Sequence, residues 1–319
     1  MARILYIYNS KGGVMGGHKM SYRHVEALRG LGFAAAVFQG AGSVLPRWLH
    51  YDVPIVTEAT FHPDDVLVVP DDAASAMRYC AALPNRMVVF SQNPYGFAGY
   101  GFEALDSYPA ERFPWIMAVS PGLAALIGRA YPQARIGVVP CFADERLFRP
   151  AASKRFAVAF APRKRPLEGK AVRGLFRKLH PRHAGLEWIE LIDKSEAEVA
   201  RAMSEAALFL SLNRLESVGI TTLEAMASRV LCAGFLGVGG AQYATEANGL
   251  WVADEDCEAA ADALARAADL ALAGGPALEA LLDAGQRTAE QWSHARFVAE
   301  LERFWMQAAP DLRPGSAPV

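Results

Sequence analysis

Residues 208–227 read Leu208-Phe209-Leu210-Ser211-Leu212-Asn213-Arg214-Leu215-Glu216-Ser217-Val218-Gly219-Ile220-Thr221-Thr222-Leu223-Glu224-Ala225-Met226-Ala227. The first six form an apolar run of strand length, the next few a polar turn with a glycine, and the rest a helix opening. A strand that stays apolar without alternation is covered on both faces, which is the habit of parallel sheets in α/β proteins. Working outward, the rhythm repeats. Strand-like runs occupy Arg3–Asn9, Ala34–Gln39, Pro54–Glu58, Asp65–Pro70, Arg86–Gln92, Trp115–Ser120 and Arg135–Phe142. A second series takes up Phe156–Pro162, Leu186–Ile192, Leu208–Asn213, Val230–Phe235 and Gly249–Ala253. Helical stretches fill the gaps. Ser195 with Glu198 is a capping box for a helix running to about Ala206, and the Ala-rich run from Cys257 to Leu272 follows a cluster of acids.

The chain has 319 residues, enough for two domains. Its composition shifts after Arg149-Pro150, so the sequence places one Rossmann-like domain over 1–150 and a second over 151–309. A final helix, about Ser293 to Ala308, sets Phe297, Val298, Leu301, Phe304 and Trp305 on one face and must dock on something. Residues 310–319 are rich in Pro, Gly and Ser and read as a disordered tail. Net charge is −2, which excludes a protein built to coat nucleic acid. Cys80, Cys141, Cys232 and Cys257 show no CxxC or zinc spacing and read as reduced thiols. No leader-like segment opens the chain and no window approaches a membrane span, so the expected place is the cytoplasm or the inner membrane face.

The turn and helix after residue 212 carry the strongest chemical signal. Backbone N–H groups of the first helical turn (Val218, Gly219, Ile220) and the helix dipole suit a diphosphate. Glu216 before the helix and Glu224 inside it can accept hydrogen bonds from sugar and ribose hydroxyls at the carboxyl end of the strand. The plain alternative is a surface helix with ordinary acids near its start.

The Glu216–Glu224 spacing, Leu223-Glu224-Ala225-Met226-Ala227, the glycine turn Gly234-Phe235-Leu236-Gly237-Val238-Gly239-Gly240 and Asn248-Gly249-Leu250-Trp251 together resemble the retaining family-4-type glycosyltransferases of the GT-B fold. The N-terminal glycine loop and Val138-Val139-Pro140, with Asp144 and Phe148 beyond, extend the resemblance to both halves. It implies two Rossmann-like, doubly wound domains facing a cleft. A nucleotide-diphosphate-sugar would be the co-substrate, with no metal and no other cofactor. The acceptor would be a glycan, a lipid-linked compound or a small molecule, with peripheral membrane contact conceivable for the lipid case. The resemblance gives Glu224 the ribose, Glu216 the donor sugar, and the Gly239/Gly240 turn the diphosphate. This chain departs from the family pattern at Ser217, where Gly is frequent, and at Ser228-Arg229, where a glycine commonly ends the helix. A non-glycine residue at a left-handed cap costs about 1 kcal/mol.

After the first strand of the second half stands Ala161-Pro162-Arg163-Lys164-Arg165-Pro166-Leu167-Glu168-Gly169-Lys170. The resemblance asks here for an Arg and a Lys on the donor diphosphate, where they stabilise the charge growing on the leaving group. Arg163 fits, but Lys164 stands adjacent where the family commonly leaves a short gap, so Lys164, Arg165 or Lys170 is open as the second partner. The other reading is a solvated basic helix start. Ser10-Lys11-Gly12-Gly13-Val14-Met15-Gly16-Gly17-His18-Lys19 is no Walker loop, since Gly-Lys-Ser/Thr is missing. The resemblance points Gly16 and Gly17 at the donor, and a tight turn is the alternative. His18, Gln92 and Asn93 are candidates for the acceptor or sugar side, whereas His24 reads as a core histidine. Asp254-Glu255-Asp256 has the look of a metal motif, but its place before an Ala-rich helix argues capping. Two rivals share much of this pattern: a nucleotide-sugar epimerase and a catalytically silent sugar-nucleotide binder.

Overall fold

The computed structural model describes residues 2–8, 13–14, 16–40 and 42–312, so Ser10, Lys11, Gly12 and Met15 of the glycine loop lie outside the described residues, as do 313–319. The chain separates into two compact units, one of Met1–Cys141 with Ala295–Val319 and one of Phe142–His294. The division thus falls ahead of the composition shift near residue 150. No described helix is long and apolar enough to cross a membrane.

The first unit holds seven parallel strands: β1 (Ile4–Ile7), β2 (Ala35–Phe38), β3 (Ile55–Val56), β4 (Val66–Pro70), β5 (Arg86–Ser91), β6 (Trp115–Ala118) and β7 (Ile136–Val138). Their order is β3-β2-β1-β4-β5-β6-β7, so the winding reverses between β1 and β4. Helices α1 (Gly16–Gly30), α2 (Ala74–Ala81), α3 (Pro94–Gly96), α4 (Phe102–Leu105) and α5 (Pro121–Ala130) connect them. A π-helical turn, Phe97–Gly101, joins α3 to α4. Burial on both faces explains the strand composition: Ile4, Tyr6, Val68, Val88 and Phe90 are all inaccessible.

The second unit has β8 (Arg155–Phe160), β9 (Glu187–Glu190), β10 (Ala206–Leu212), β11 (Leu231–Phe235) and β12 (Leu250–Val252), all parallel, in the order β12-β11-β10-β8-β9. Here the reversal lies between β8 and β10. The helices are α6 (Pro166–Leu179), α7 (Glu196–Glu205), α8 (Ile220–Ala227), α9 (Gly237–Gly240), α10 (Cys257–Ala273) and α11 (Pro276–Glu290). The capping box forms at α7, with the Ser195 side chain accepting from the Glu198 N–H and the Glu198 carboxylate accepting from the Ser195 N–H. Asp256 caps α10 by accepting the Ala259 N–H at 2.9 Å. The alanine face of α10 (Ala260, Ala261, Ala267, Ala268) lets that helix lie close on Val158, Leu208, Leu210 and Leu231.

The last helix, α12 (His294–Ala308), buries Phe297, Leu301, Phe304 and Trp305 in the first unit. Gly137 in β7 makes room for it, since a Cβ there would stand 2.5 Å from the Phe304 ring. Of the residues read as a tail, Pro310–Leu312 are folded instead. They form a turn whose Asp311 carboxylate accepts both Arg86 guanidinium nitrogens, at 2.7 and 2.8 Å. That bidentate pair is the reason the order persists past Pro310.

His24 sits in this core as a core histidine. Its Nδ1 lies 2.9 Å from Tyr6 Oη, and its ring packs on Phe90 and Phe297. Burial pushes it down to about 3, and pushes His18 down to about 4. A histidine depressed on folding contributes stability that is present above its ordinary value near 6.5 and is lost as pH falls towards the folded value. Asp71 works the other way: burial raises it to about 7, so its penalty grows as pH rises from about 4. Two depressed histidines against one raised carboxyl leave stability falling on acidification between about pH 4 and 6. His24→Phe is expected to remove that slope. Urea midpoints at pH 4.5, 5.5 and 6.5 measure it, and an unchanged slope in the variant would remove His24 as the cause.

Candidate functional site

Ligand sites of open α/β sheets lie at the carboxyl ends of the strands where the winding reverses. In the second unit that point is between β8 and β10. The turn after β8 is Pro162–Lys164 and the loop after β10 is 213–219, so the sheet order alone brings the basic segment to the Glu216 segment. The Lys164 Nζ meets Glu216 Oε1 at 3.0 Å, with both side chains partly exposed. Arg163 beside it points into solvent, as does Lys170 farther on.

Arg165 behaves differently from both. It is 1% exposed. Its Nε donates to the Asn213 carbonyl at 2.8 Å, and its guanidinium lies 4.9 Å above the Phe235 ring. Glu168, Asp254 and Glu255 surround it at 3.3, 3.7 and 3.9 Å. One side chain therefore ties together the loops that follow β8, β10 and β12 and the end of β11. Sequence left Arg165 open as a phosphate partner; in the fold it is a strut whose donors face protein groups.

The loop that carries Glu216 is fixed from within. Gly219 takes a left-handed conformation, φ 80°, at the start of α8, and a Cβ there would press on the Asn213 amide at 2.6 Å. Its carbonyl accepts Tyr243 Oη at 3.0 Å. The Asn213 amide donates to Thr222 Oγ1 at 3.1 Å, and Ser211 Oγ lies 3.1 Å from the same oxygen. Val218 is buried and Ile220 half-buried at the mouth of the helix. Glu224 is 5% exposed on the next turn of α8.

Gly239 and Gly240, two neighbours in α9, occupy unlike places. A Cβ on Gly239 would stand 2.5 Å from Val218 N and 2.6 Å from Glu216 O, whereas one on Gly240 would meet nothing closer than Leu236 at 3.5 Å. Gly239 thus lets α9 lie directly on the backbone of the Glu216 loop. The non-glycine end of α8 also has its reason. Arg229 is left-handed, φ 51°, and its guanidinium is held on α11 by Asp283 at 2.5 Å, Glu279 at 2.6 Å and Gln286 at 3.0 Å. Those bonds offset the cost of the strained cap.

In the first unit the winding reverses between β1 and β4, and the carboxyl ends there collect Gly17, His18, Gln92 and Asn93. The Gln92 Nε2 donates to the Gly17 carbonyl at 3.4 Å. Gly16 stands in open space, with nothing within 4 Å of a Cβ placed on it. His18 packs edge-on against Tyr8, ring centroids 4.1 Å apart, and its lowered pKa leaves it neutral near pH 7. The Asn93 side chain caps α3, accepting from the Tyr95 and Gly96 N–H groups. Sequence reasoning passed over Asp71, directly after β4, whose buried carboxylate accepts from Ser91 Oγ at 2.8 Å and from the backbone N–H of Gln92 at 3.0 Å. The only trace of it in the sequence is an acid at the end of an apolar strand.

Of the acids at 254–256, Asp254 accepts the Gly237 N–H at 3.0 Å and Asp256 caps α10. Among the described residues no group of three or more His, Cys, Asp or Glu side chains is arranged to hold a metal ion.

Two parallel, doubly wound units with these sites define a glycosyltransferase of the GT-B fold. The chain belongs to the family of glycosyl transferases group 1, whose pattern matches residues 168–270. A curated relative, the alpha-1,6-glucosyltransferase of Actinobacillus pleuropneumoniae serotype 7 (strain AP76), is 30% identical over 235 residues, covering 70% of this chain and 69% of the relative. Anabaena HepE, solved with UDP-glucose, superposes with a TM-score of 0.68 at 12% identity over 96% of this chain and 100% of its own. S. aureus TarM, solved with fondaparinux, alpha-GlcNAc-glycerol and UDP, gives a TM-score of 0.59 at 11% identity over 77% of this chain. This chain spans 56% of TarM's length. At such identities the two structures speak for the fold.

Proposed function

We propose that this glycosyltransferase takes its sugar from a nucleoside-diphosphate donor held at the β8/β10 reversal, and passes it to a hydroxyl acceptor with retention of anomeric configuration. The observation that carries the assignment is the Lys164–Glu216 pair, 3.0 Å apart beside the start of α8. Lys164 and the solvent-facing Arg163 meet the diphosphate together with the first-turn N–H groups of α8. Glu216 orients the sugar hydroxyls, and Glu224 accepts from the ribose diol. Gly239 serves this set by letting α9 lie on the backbone of the Glu216 loop. The two cations give the leaving diphosphate its counter-charge, so the assignment needs no metal and no further cofactor.

In the transfer the bond from the anomeric carbon to the diphosphate oxygen breaks, and the acceptor oxygen bonds the same carbon on the same face. The acceptor proton passes to the departing phosphate. No protein base is required, and neither acid has to move a proton. Glucose is the favoured sugar, because the relative is named an alpha-1,6-glucosyltransferase and HepE was solved with UDP-glucose. An α-linked product from an α-linked donor is retention. His18, Gln92 and Asn93 of the first unit fall to the acceptor, a glycan, a glycolipid or a small molecule.

A thermal-shift panel of UDP, GDP, dTDP and ADP sugars tests the donor. A donor at about 100 times its Kd should add about 2.7 kcal/mol of stability. NMR of the product then reads the anomer. Silence across the whole panel would sink the donor assignment, an inverted product would sink retention, and an altered nucleotide sugar without a glycoside would mean an epimerase.

A further inference from the structure

Asp71 directly follows β4 at the point where the first unit's winding reverses, and it is almost wholly buried. All of the described hydrogen bonds of its carboxylate converge on one oxygen. Oδ2 accepts from Ser91 Oγ at 2.8 Å, Gln92 N at 3.0 Å and Asn93 N at 3.3 Å. The carboxylate thereby holds three consecutive residues at the exit of β5. From there Gln92 Nε2 reaches the Gly17 carbonyl at 3.4 Å, at the beginning of α1. Asn93 in turn caps α3 through its side-chain oxygen. A Cβ on Gly101 would collide with the Asp71 carbonyl and force the π-helical turn away, so the same residue's backbone seats the segment that follows α3.

Burial of a carboxylate is costly and is sustained only where donors satisfy it. Asp71 is pushed up to about 7, first by burial and then by the neighbouring Asp72 charge, with the Ser91, Gln92 and Asn93 donors opposing. A group kept at that cost, spending its acceptor capacity on the backbone of a candidate site, is a positioning group. It is too buried to touch a substrate.

We infer that Asp71 positions Gln92 and Asn93 for acceptor binding by fixing the exit of β5 and, through the Gln92 amide, the Gly17 end of α1. The inference rests on the assignment of the acceptor to this edge of the first unit.

The test compares Asp71→Ala, Asp71→Asn, Gln92→Ala and Asn93→Ala by steady-state kinetics with an acceptor found active for the wild type, and by donor thermal shift. Asp71→Ala removes the shared oxygen and strands the Ser91 hydroxyl and two N–H groups. It is expected to raise the acceptor KM about tenfold or more with the donor shift unchanged. Asp71→Asn keeps one amide oxygen for the three donors and is expected to restore the acceptor KM to within about threefold. An unchanged acceptor KM in a folded Asp71→Ala, or a donor shift that falls in step with it, overturns the positioning role. Should Asp71→Ala fail to fold, Asp71→Asn and Asp71→Ser decide, a normal acceptor KM in Asp71→Ser counting against the inference. If Gln92→Ala and Asn93→Ala both leave the acceptor KM unmoved, the acceptor assignment itself fails, separately from the role of Asp71.

Discussion

Arg165→Met is expected to lower the unfolding free energy by about 2–4 kcal/mol, a large share of what holds a unit of this size. The figure follows from what the guanidinium does. The charged donor bond to the Asn213 carbonyl contributes roughly 1.5–3 kcal/mol, and the desolvated contact with Phe235 about 2. The three acids add little, because they are 22, 41 and 71% exposed and stand 3.3–3.9 Å away. Methionine fills similar volume and removes the cost of burying a cation, which offsets part of the loss. Lysine keeps the charge but cannot serve Asn213 and Asp254 at once, so Arg165→Lys should fall in between. Arg163→Met, two residues earlier but exposed, should stay within about 0.5 kcal/mol. Equilibrium urea unfolding separates the three variants. A loss below about 1 kcal/mol in Arg165→Met would mean that the loops after β8, β10 and β12 do not depend on this side chain.

The contrast between Arg163 and Arg165 shows where sequence reasoning ran out. Ten of the twelve described strands lie inside the apolar runs read from the chain, and β8 and β10 start one and two residues ahead of theirs, because most strands of the two sheets are covered on both faces and stay apolar. The placement of Glu216 before a helix and of Glu224 inside it was legible in the sequence. Which of three consecutive basic residues turns inward was not, since it depends on the turn at Pro162–Lys164 and on Asn213 arriving from another strand. The Lys164–Glu216 pair was invisible for the same reason: 52 positions in sequence collapse to 3.0 Å only because β8 neighbours β10. The stretch Asn93-Pro94-Tyr95-Gly96-Phe97-Ala98-Gly99-Tyr100-Gly101, with three glycines in nine residues, folds as α3 and a π-helical turn. Local propensity there loses to the Asn93 cap and to the close approach of Gly101 to Asp71. Asp71 itself escaped notice because an acid after a strand looks like any loop residue until its three donors are seen.

Gly239→Ala is expected to cost about a hundredfold in kcat/KM, with a stability loss of about 1–3 kcal/mol, while Gly240→Ala leaves both near the wild type. The two glycines are adjacent, and the family resemblance assigns them alike to the diphosphate. Geometry separates them. The new methyl at 239 would sit 2.5–2.6 Å from Val218 N, Glu216 O and Ser217 C, all of them backbone, so the loop itself must move. A shift of about 1 Å there carries Glu216 off Lys164 and tilts the first N–H groups of α8, and displacements of that size are enough to lose about 10²-fold in rate. At 240 the methyl meets Leu236 and Asn213 at 3.5 and 3.6 Å, ordinary contacts that need no adjustment. Release of nucleoside diphosphate from the donor, measured for both variants beside their melting temperatures, decides the matter. Equal losses in the two would mean that both glycines face the phosphates directly, and normal activity in Gly239→Ala would show that the seating of the Glu216 loop on α9 does not govern the chemistry.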